Sequence, residues 1–190
     1  MRLDRYETGD FQRGANRLTE AVWLLFSALL GSGLPGSAWR RWILICFGAR
    51  IGEGVVLKPG LRIKFPWHLE VGNHTWIGER VWIDNLARVK LGHNVCISQG
   101  AYLCTGSHDW AADSFDLITK PIEVSDHAWV CAKAMLAPGT EVLSGAVITM
   151  ASLGKGRLKA WTVYSGTPAA PIKPRPSYGG STHREYAELP

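Results

Sequence analysis

Three stretches of the chain carry one pattern: LEVGNHTWI at 69–77, VKLGHNVCI at 89–97 and IEVSDHAWV at 122–130. Repetition of this kind decides an architecture before local propensity does. Working outward from these copies, an aliphatic residue recurs every six positions. The series runs Ile51, Leu57, Ile63; then Val71, Ile77, Ile83, Val89; then Leu91, Ile97, Leu103. After an interruption it resumes at Val124, Val130, Leu136, Val142 and Ile148. Two residues before these positions stand small or aliphatic side chains: Val55, Leu61, Thr75, Val81, Ala87, Val95, Ala101, Ala128, Ala134, Thr140 and Ala146.

A period of six is neither the 3.6 of a helix nor the alternation of a lone strand. It fits a coil with three flat sides, each side being one short strand and one turn. Side chains two apart share a strand face, so the aliphatic residue and its small predecessor both point inward. Stacked coils then bury a continuous aliphatic column, and strands pair in parallel with those above and below. Glycine directly after the inward aliphatic, at Gly52, Gly72, Gly78 and Gly92, is expected to free the backbone for a tight corner. The first two copies are twenty residues apart and the third follows after thirty-three. The thirteen additional residues must leave the coil within 104–121, and a loop expelled from a rigid solenoid is where function concentrates.

The remaining sequence sets bounds. One hundred and ninety residues suit one domain. With 46% hydrophobic and 19% charged residues, the chain has neither a disordered nor a coiled-coil composition. The longest apolar stretch, Ala21 to Leu30, is shorter than the roughly 20 residues of a spanning helix, and no cleavable signal is visible. Cys46, Cys96, Cys104 and Cys131 form no CxxC pair and are too sparse for a disulfide scaffold. These features predict a soluble, cytoplasmic protein. Twenty-one basic against sixteen acidic residues give a net charge of +5. Between Gly154 and His183 there is no acidic residue, while Lys155, Arg157, Lys159, Lys173 and Arg175 fall there. No nucleic-acid motif accompanies them, so a local anion site is the expectation and a nucleic-acid partner is not.

Asn16–Leu30 and Ala38–Phe47 read as two short helices, broken by a Gly-Ser-Gly-Leu-Pro-Gly run at 31–36. Their first role is to cap the open end of the solenoid. The alternative is peripheral contact with the inner face of a membrane, since both helices are rich in apolar side chains. The expected organisation is a helical cap at 1–50, a β-helix of about five coils at 51–170, and an irregular tail at 171–190.

Together with the hexads, Thr105-Gly106-Ser107-His108-Asp109 on the expelled loop, Pro121-Ile122, Ala137-Pro138-Gly139 and Ser165-Gly166-Thr167-Pro168-Ala169 resemble the hexapeptide-repeat acyltransferases. The segments Gly48–Gly52 and Tyr102–Asp109 resemble most closely the branch named for colanic acid biosynthesis O-acetyltransferases. The resemblance covers about seven-tenths of the chain, from Arg40 to Arg175. It implies an all-β fold, a left-handed parallel β-helix whose hand is an exception to the usual right-handed crossover. It also implies a homotrimer that binds acetyl-CoA in clefts between subunits and acetylates a sugar or polysaccharide precursor.

An alcohol is a poor nucleophile at neutral pH, and a neutral imidazole can take its proton as the oxygen attacks a thioester. The resemblance places that general base at His108. A base needs an orienting partner; Asp109, adjacent in sequence, and Asp84 with Asn85 in the preceding coil are the candidates. Cys104 could carry the acetyl group covalently, but only His108 nearby would activate it, and the family's logic is direct transfer. His74, His93 and His127 recur at one turn beside Asn73, Asn94 and Asp126, where turn chemistry accounts for them. Metal hydratase chemistry would call for a His-x4-His pair, and no two histidines are five apart; no metal is expected.

For the coenzyme, the resemblance points to Trp129, Ala132, Met150 and the run Lys155–Lys159, with Lys155 and Arg157 for phosphates. That run departs from the family's Thr-Lys-Asp-x-Pro-Pro, Gly156 standing where its lysine falls. The departure leaves a second reading open: a catalytically silent β-helix trimer serving as a scaffold. Trp76, Cys96 and Trp129 occupy equivalent outward positions and are expected to stack in one column, suited to a trimer interface, a coenzyme cleft, or both.

Overall fold

The structure, a computed structural model, describes residues 1–9 and 11–177. His183 lies outside the described residues. From Arg50 onward the chain winds as a three-sided parallel β-helix. The first side stacks Arg50–Ile51, Leu69–Val71, Val89–Leu91, Ile122–Val124, Glu141–Val142 and Arg157–Leu158. The second stacks Val56–Leu57, Trp76–Ile77, Cys96–Ile97, Trp129–Val130, Val147–Ile148 and Thr162–Gly166. The third has Arg62–Ile63, Trp82–Asp84, Tyr102–Cys104, Met135–Leu136 and Leu153–Gly154. Five coils are complete and a sixth has two sides.

The hexad reading places the core correctly. Ile77, Ile83, Val89, Ile97, Leu103, Val130 and Ile148 are fully buried in one continuous cluster. Ala87 is the exception: it is half-buried, and Asn85 is buried in its stead. In the first two coils the corner after the third side is two residues longer than a hexad allows, which shifts the inward phase there. The expelled residues leave from this same corner. They form an antiparallel hairpin, Gly106–His108 against Leu117–Thr119.

The glycines after the inward aliphatics have a different role from the one expected. The positive-φ corner residues come two positions later, for example His74 (φ 57°), Asn94 (φ 53°) and His127 (φ 62°). Gly72 is instead required by close approach of successive coils, since a Cβ there would stand 2.5 Å from the Gly92 carbonyl carbon. The same corner carries a side-chain ladder. Asn73 Oδ1 accepts from Glu53 N–H, His93 Nδ1 from Asn73 N–H, and Asp126 Oδ1 from His93 N–H, at 2.8–3.0 Å. His93 is thereby assigned to the frame of the solenoid.

Helices α1 (Arg17–Leu30, capped by Asn16) and α2 (Ala38–Cys46) close the amino end. Trp23, Leu30, Ile43 and Leu44 join the core cluster. An open first coil would expose an unpaired strand edge. Here the Arg41 guanidinium donates to the carbonyls of Ile51 and Gly52, and Ser37 bonds both backbone groups of Leu57. At the other end, Ala169–Pro174 turns back antiparallel on Thr162–Gly166 and covers that edge. Regular pairing therefore continues through Pro174, past the expected start of an irregular tail. No helix among the described residues is long and apolar enough to cross a membrane.

Candidate active site

The hairpin is rooted by two buried side chains at the long corner. Asn85 closes a two-way amide clamp on the coil before it: its Oδ1 accepts from Phe65 N–H at 3.0 Å and its Nδ2 donates to Phe65 C=O at 2.6 Å. Thr105 repeats the theme one coil on. Its hydroxyl donates to Asp84 C=O and accepts from Ala87 N–H, both at 3.0 Å. Asn85 is fully buried with its amide turned to Phe65; of the expected orienting residues, it thus stands in the frame.

Three residues past Thr105, His108 stands in the first hairpin strand. Its Nδ1 is 3.0 Å from the carbonyl oxygen of Phe115, and its ring lies flat on the Phe115 ring at 4.2 Å. A carbonyl only accepts, so Nδ1 carries a proton, and in the neutral imidazole the lone pair then falls on Nε2. Nε2 has no hydrogen bond among the described residues. The group that orients His108 is therefore a main-chain carbonyl rather than one of the carboxylates. Asp109 turns away to accept from the N–H groups of Ala111 and Ala112. Asp84 pairs with Lys64 at 3.1 Å and accepts from the Tyr102 hydroxyl at 3.2 Å. Burial, with Cys104 and Asp84 beside it, pushes the Tyr102 phenol up, so it stays a donor.

The amino-terminal segment reaches this site, which the sequence did not announce. Arg2 N–H donates to Asp113 C=O at 2.7 Å, Arg5 stands 3.6 Å from the Asp113 carboxylate, and the Tyr6 ring lies 5.7 Å from that of His108. Between this arm, α1, the long corner and the hairpin lies a cavity of about 560 Å³, with His108 and Lys64 in its wall. Phe115, Tyr6 and Asp113 fall outside the repeat, and no periodicity could have marked them.

Cys104 Sγ donates to Gly106 C=O at 3.1 Å, tying the strand to the hairpin root. Burial, with Cys96 beside it, pushes the Cys131 thiol up to about 11, so it is protonated at neutral pH. Among the described residues no group of three or more His, Cys, Asp and Glu side chains is placed to hold a metal ion.

The expected coenzyme residues do not gather on one side of the protomer. Trp129 is on the second side, 43% exposed, with its indole N–H on Ser98 Oγ at 2.8 Å. Ala132 and Met150 come together one coil apart at the corner after it, Met150 being 68% exposed. Lys155 is exposed at the corner after the third side, and Arg157, on the first side, lies 3.7 Å from Glu141. The outward column is as expected: Trp76 pairs with Cys96 and Cys96 with Trp129.

The chain is similar in sequence to proteins named as acetyltransferases. WcaF of Escherichia coli (strain K12), an acetyltransferase named for colanic acid biosynthesis, is 34% identical over 165 residues, 86% of this chain and 91% of that one. The chain belongs to the WcaF branch of the hexapeptide-repeat acetyltransferases. Nodulation protein L of Rhizobium meliloti (strain 1021) is 21% identical over 72% of this chain and 75% of its own length. Among solved structures, the hexapeptide-repeat acetyltransferase VCA0836 of Vibrio cholerae, complexed with acetyl coenzyme A, superposes with a TM-score of 0.79 at 18% identity. That match covers 92% of this chain and 97% of VCA0836. A maltose O-acetyltransferase from Clostridium difficile 630 gives a TM-score of 0.72 at 18% identity, over 85% and 90% of the two chains. No family model matches the chain. The solenoid of this acetyltransferase is thus the left-handed parallel β-helix of its family.

Proposed function

We propose that the protein transfers acetyl from acetyl-CoA to a hydroxyl of a saccharide or polysaccharide precursor, with His108 as general base. The observation that carries this reading is the Nδ1 contact with the Phe115 carbonyl at 3.0 Å, which leaves Nε2 as the basic nitrogen. In the step, the acceptor oxygen attacks the thioester carbonyl carbon as its proton passes to Nε2. The C–S bond then breaks, and the imidazolium returns the proton to the leaving thiolate, giving the acetyl ester and CoA thiol. Transfer is direct, because Cys104 is engaged as a thiol with Gly106.

Names among the relatives, colanic acid for WcaF and maltose for the clostridial enzyme, support a sugar acceptor. The complex of VCA0836 supports the donor. Trp129, Ala132, Met150, Lys155 and Arg157 lie on different sides of one protomer, an arrangement suited to a coenzyme cleft completed by a neighbouring subunit in a homotrimer. Exposed Leu18 and Leu25 on α1 and Trp42 on α2 support peripheral membrane contact, which co-sedimentation with anionic vesicles tests.

The deciding experiment measures acetyl-CoA binding and acceptor-dependent thioester loss for the wild type and His108→Ala. Binding in both, with turnover reduced by about 10²–10⁴ in the variant, is expected. A folded wild type that binds no acetyl-CoA would overturn the reading in favour of a scaffold.

A further inference from the structure

The cavity beside His108 has a largely apolar wall. Nine of its fifteen lining residues are apolar or aromatic. Several hydrogen-bonding groups of the wall are already engaged with the protein. The indole N–H of Trp23 donates to Lys64 C=O at 2.9 Å, and that of Trp67 donates to Arg13 C=O at 2.6 Å. Arg13 is paired with Glu20 at 2.8 Å and Lys64 with Asp84 at 3.1 Å. Phe65 stacks on Trp67 at 5.1 Å and faces Phe11 at 6.5 Å. Such a surface offers ring faces and internally neutralised charge, while a sugar hydroxyl buried against it would lose its hydrogen bonds to water without replacement. An alkyl or prenyl group loses nothing there and gains from leaving water. The volume is within the range of small-molecule sites.

We infer that this cavity is the acceptor subsite and that the acceptor is amphiphilic: a sugar whose hydroxyl meets His108, joined to an apolar aglycone that occupies the cavity. The inference rests on the proposed acetyl transfer and adds the substrate class. The amino-terminal arm is part of the subsite, because Phe11 and Arg13 help build the aromatic wall and Tyr6 reaches the His108 ring. Leu24, 69% exposed, stands at the edge where the apolar group meets solvent.

The test compares methyl and octyl glycosides of the same sugars as acceptors, below the micelle-forming concentration, with the full chain and acetyl-CoA. Tryptophan fluorescence, reporting on Trp23 and Trp67, measures binding of each glycoside without acetyl-CoA. The expected result is kcat/KM at least tenfold higher for the octyl glycoside, carried by KM, with tighter octyl binding. Leu24→Glu, at an exposed position that does not endanger folding, should shrink both preferences. Equal kcat/KM and equal binding of the two glycosides would overturn the subsite while leaving acetyl transfer standing. So would a loss in Leu24→Glu that is the same for both. Absence of turnover with every glycoside, alongside octyl binding that Leu24→Glu weakens, would instead overturn the transfer reading and keep the cavity as a site for an amphiphile.

Discussion

The His108 imidazole and the Phe115 main chain form a closed pair across one hairpin: ring on ring at 4.2 Å with an interplanar angle of 3°, and Nδ1 on carbonyl at 3.0 Å. Both contacts come from a single residue in the returning limb, so one backbone conformation sets the tautomer and the ring plane together. Phe115 holds that conformation at φ 55°, in the left-handed region that is costly for a residue with a side chain. The orientation of the His108 ring is therefore set by the hairpin itself.

Replacing Phe115 separates the two contacts. Phe115→Gly suits the positive φ and keeps the carbonyl, but removes the ring that fixes the imidazole plane. Loss of that alignment should lower kcat by about tenfold, with the KM for acetyl-CoA nearly unchanged. Phe115→Tyr, which keeps the ring, should restore most of the rate. Steady-state kinetics on the three proteins checks this; equal kcat in all of them would show that the stacking is incidental.

Asn85 should behave as a structural residue. Asn85→Ala leaves the Phe65 N–H and C=O in a buried corner without their partners, which costs about 2–3 kcal/mol of unfolding free energy. Denaturant unfolding measures that loss, and kinetics at low temperature, where the variant is folded, measures the rate. A kcat close to wild type is expected. Unchanged stability with a large drop in kcat would return Asn85 to the catalytic machinery.

The solenoid was legible because burial imposes a period, and Ile77, Ile97 and Val130 display it directly. Its one misassigned inward position, Ala87, fell where the long corner breaks the period and Asn85 takes over the buried slot. The glycines were recognised but misread: packing between coils and backbone freedom leave the same letter in a sequence, and only coordinates separate them. His108 was singled out by a motif. The Phe115 carbonyl that meets its ring was not, because a main-chain carbonyl has no sequence signature, and the adjacent Asp109 instead bonds the N–H groups of its own turn. Tyr6 meets His108 and Arg5 meets Asp113, each pair about a hundred residues apart in the chain, contacts that no local pattern encodes.

Direct transfer makes a plain prediction for Cys104. Its sulfur is held on the Gly106 carbonyl, and serine can make the same bond from the same position. Cys104→Ser should keep kcat/KM within about threefold of wild type, whereas loss of a covalent nucleophile would cost orders of magnitude. Rapid quenching with labelled acetyl-CoA gives a second check: no label should stay on the protein.

Glu70 ties three coils together on the first side, bonding Arg50 at 2.9 Å and Arg88 at 2.5 Å. The hydrogen bond from Arg88 holds its carboxyl below the usual carboxylate range, with the charges of Arg88, Arg50 and Lys90 acting in the same direction. A carboxyl lowered in the folded state stabilises it only while ionised. Its contribution is complete above the unfolded carboxylate value, about 4.3, and fades as pH falls through the lower folded value. Glu70→Gln should therefore lose stability at neutral pH, by about 0.5–1 kcal/mol for a largely surface network. The difference from wild type should close on acidification below about pH 4 and shrink in about 1 M salt, where the Debye length is roughly 3 Å. Chemical denaturation at neutral and acid pH, with urea so that ionic strength is set independently, reads both dependences. A difference that persists unchanged in acid would mean that Glu70 contributes through packing, and the three-coil ion pair would have no part in holding the first side together.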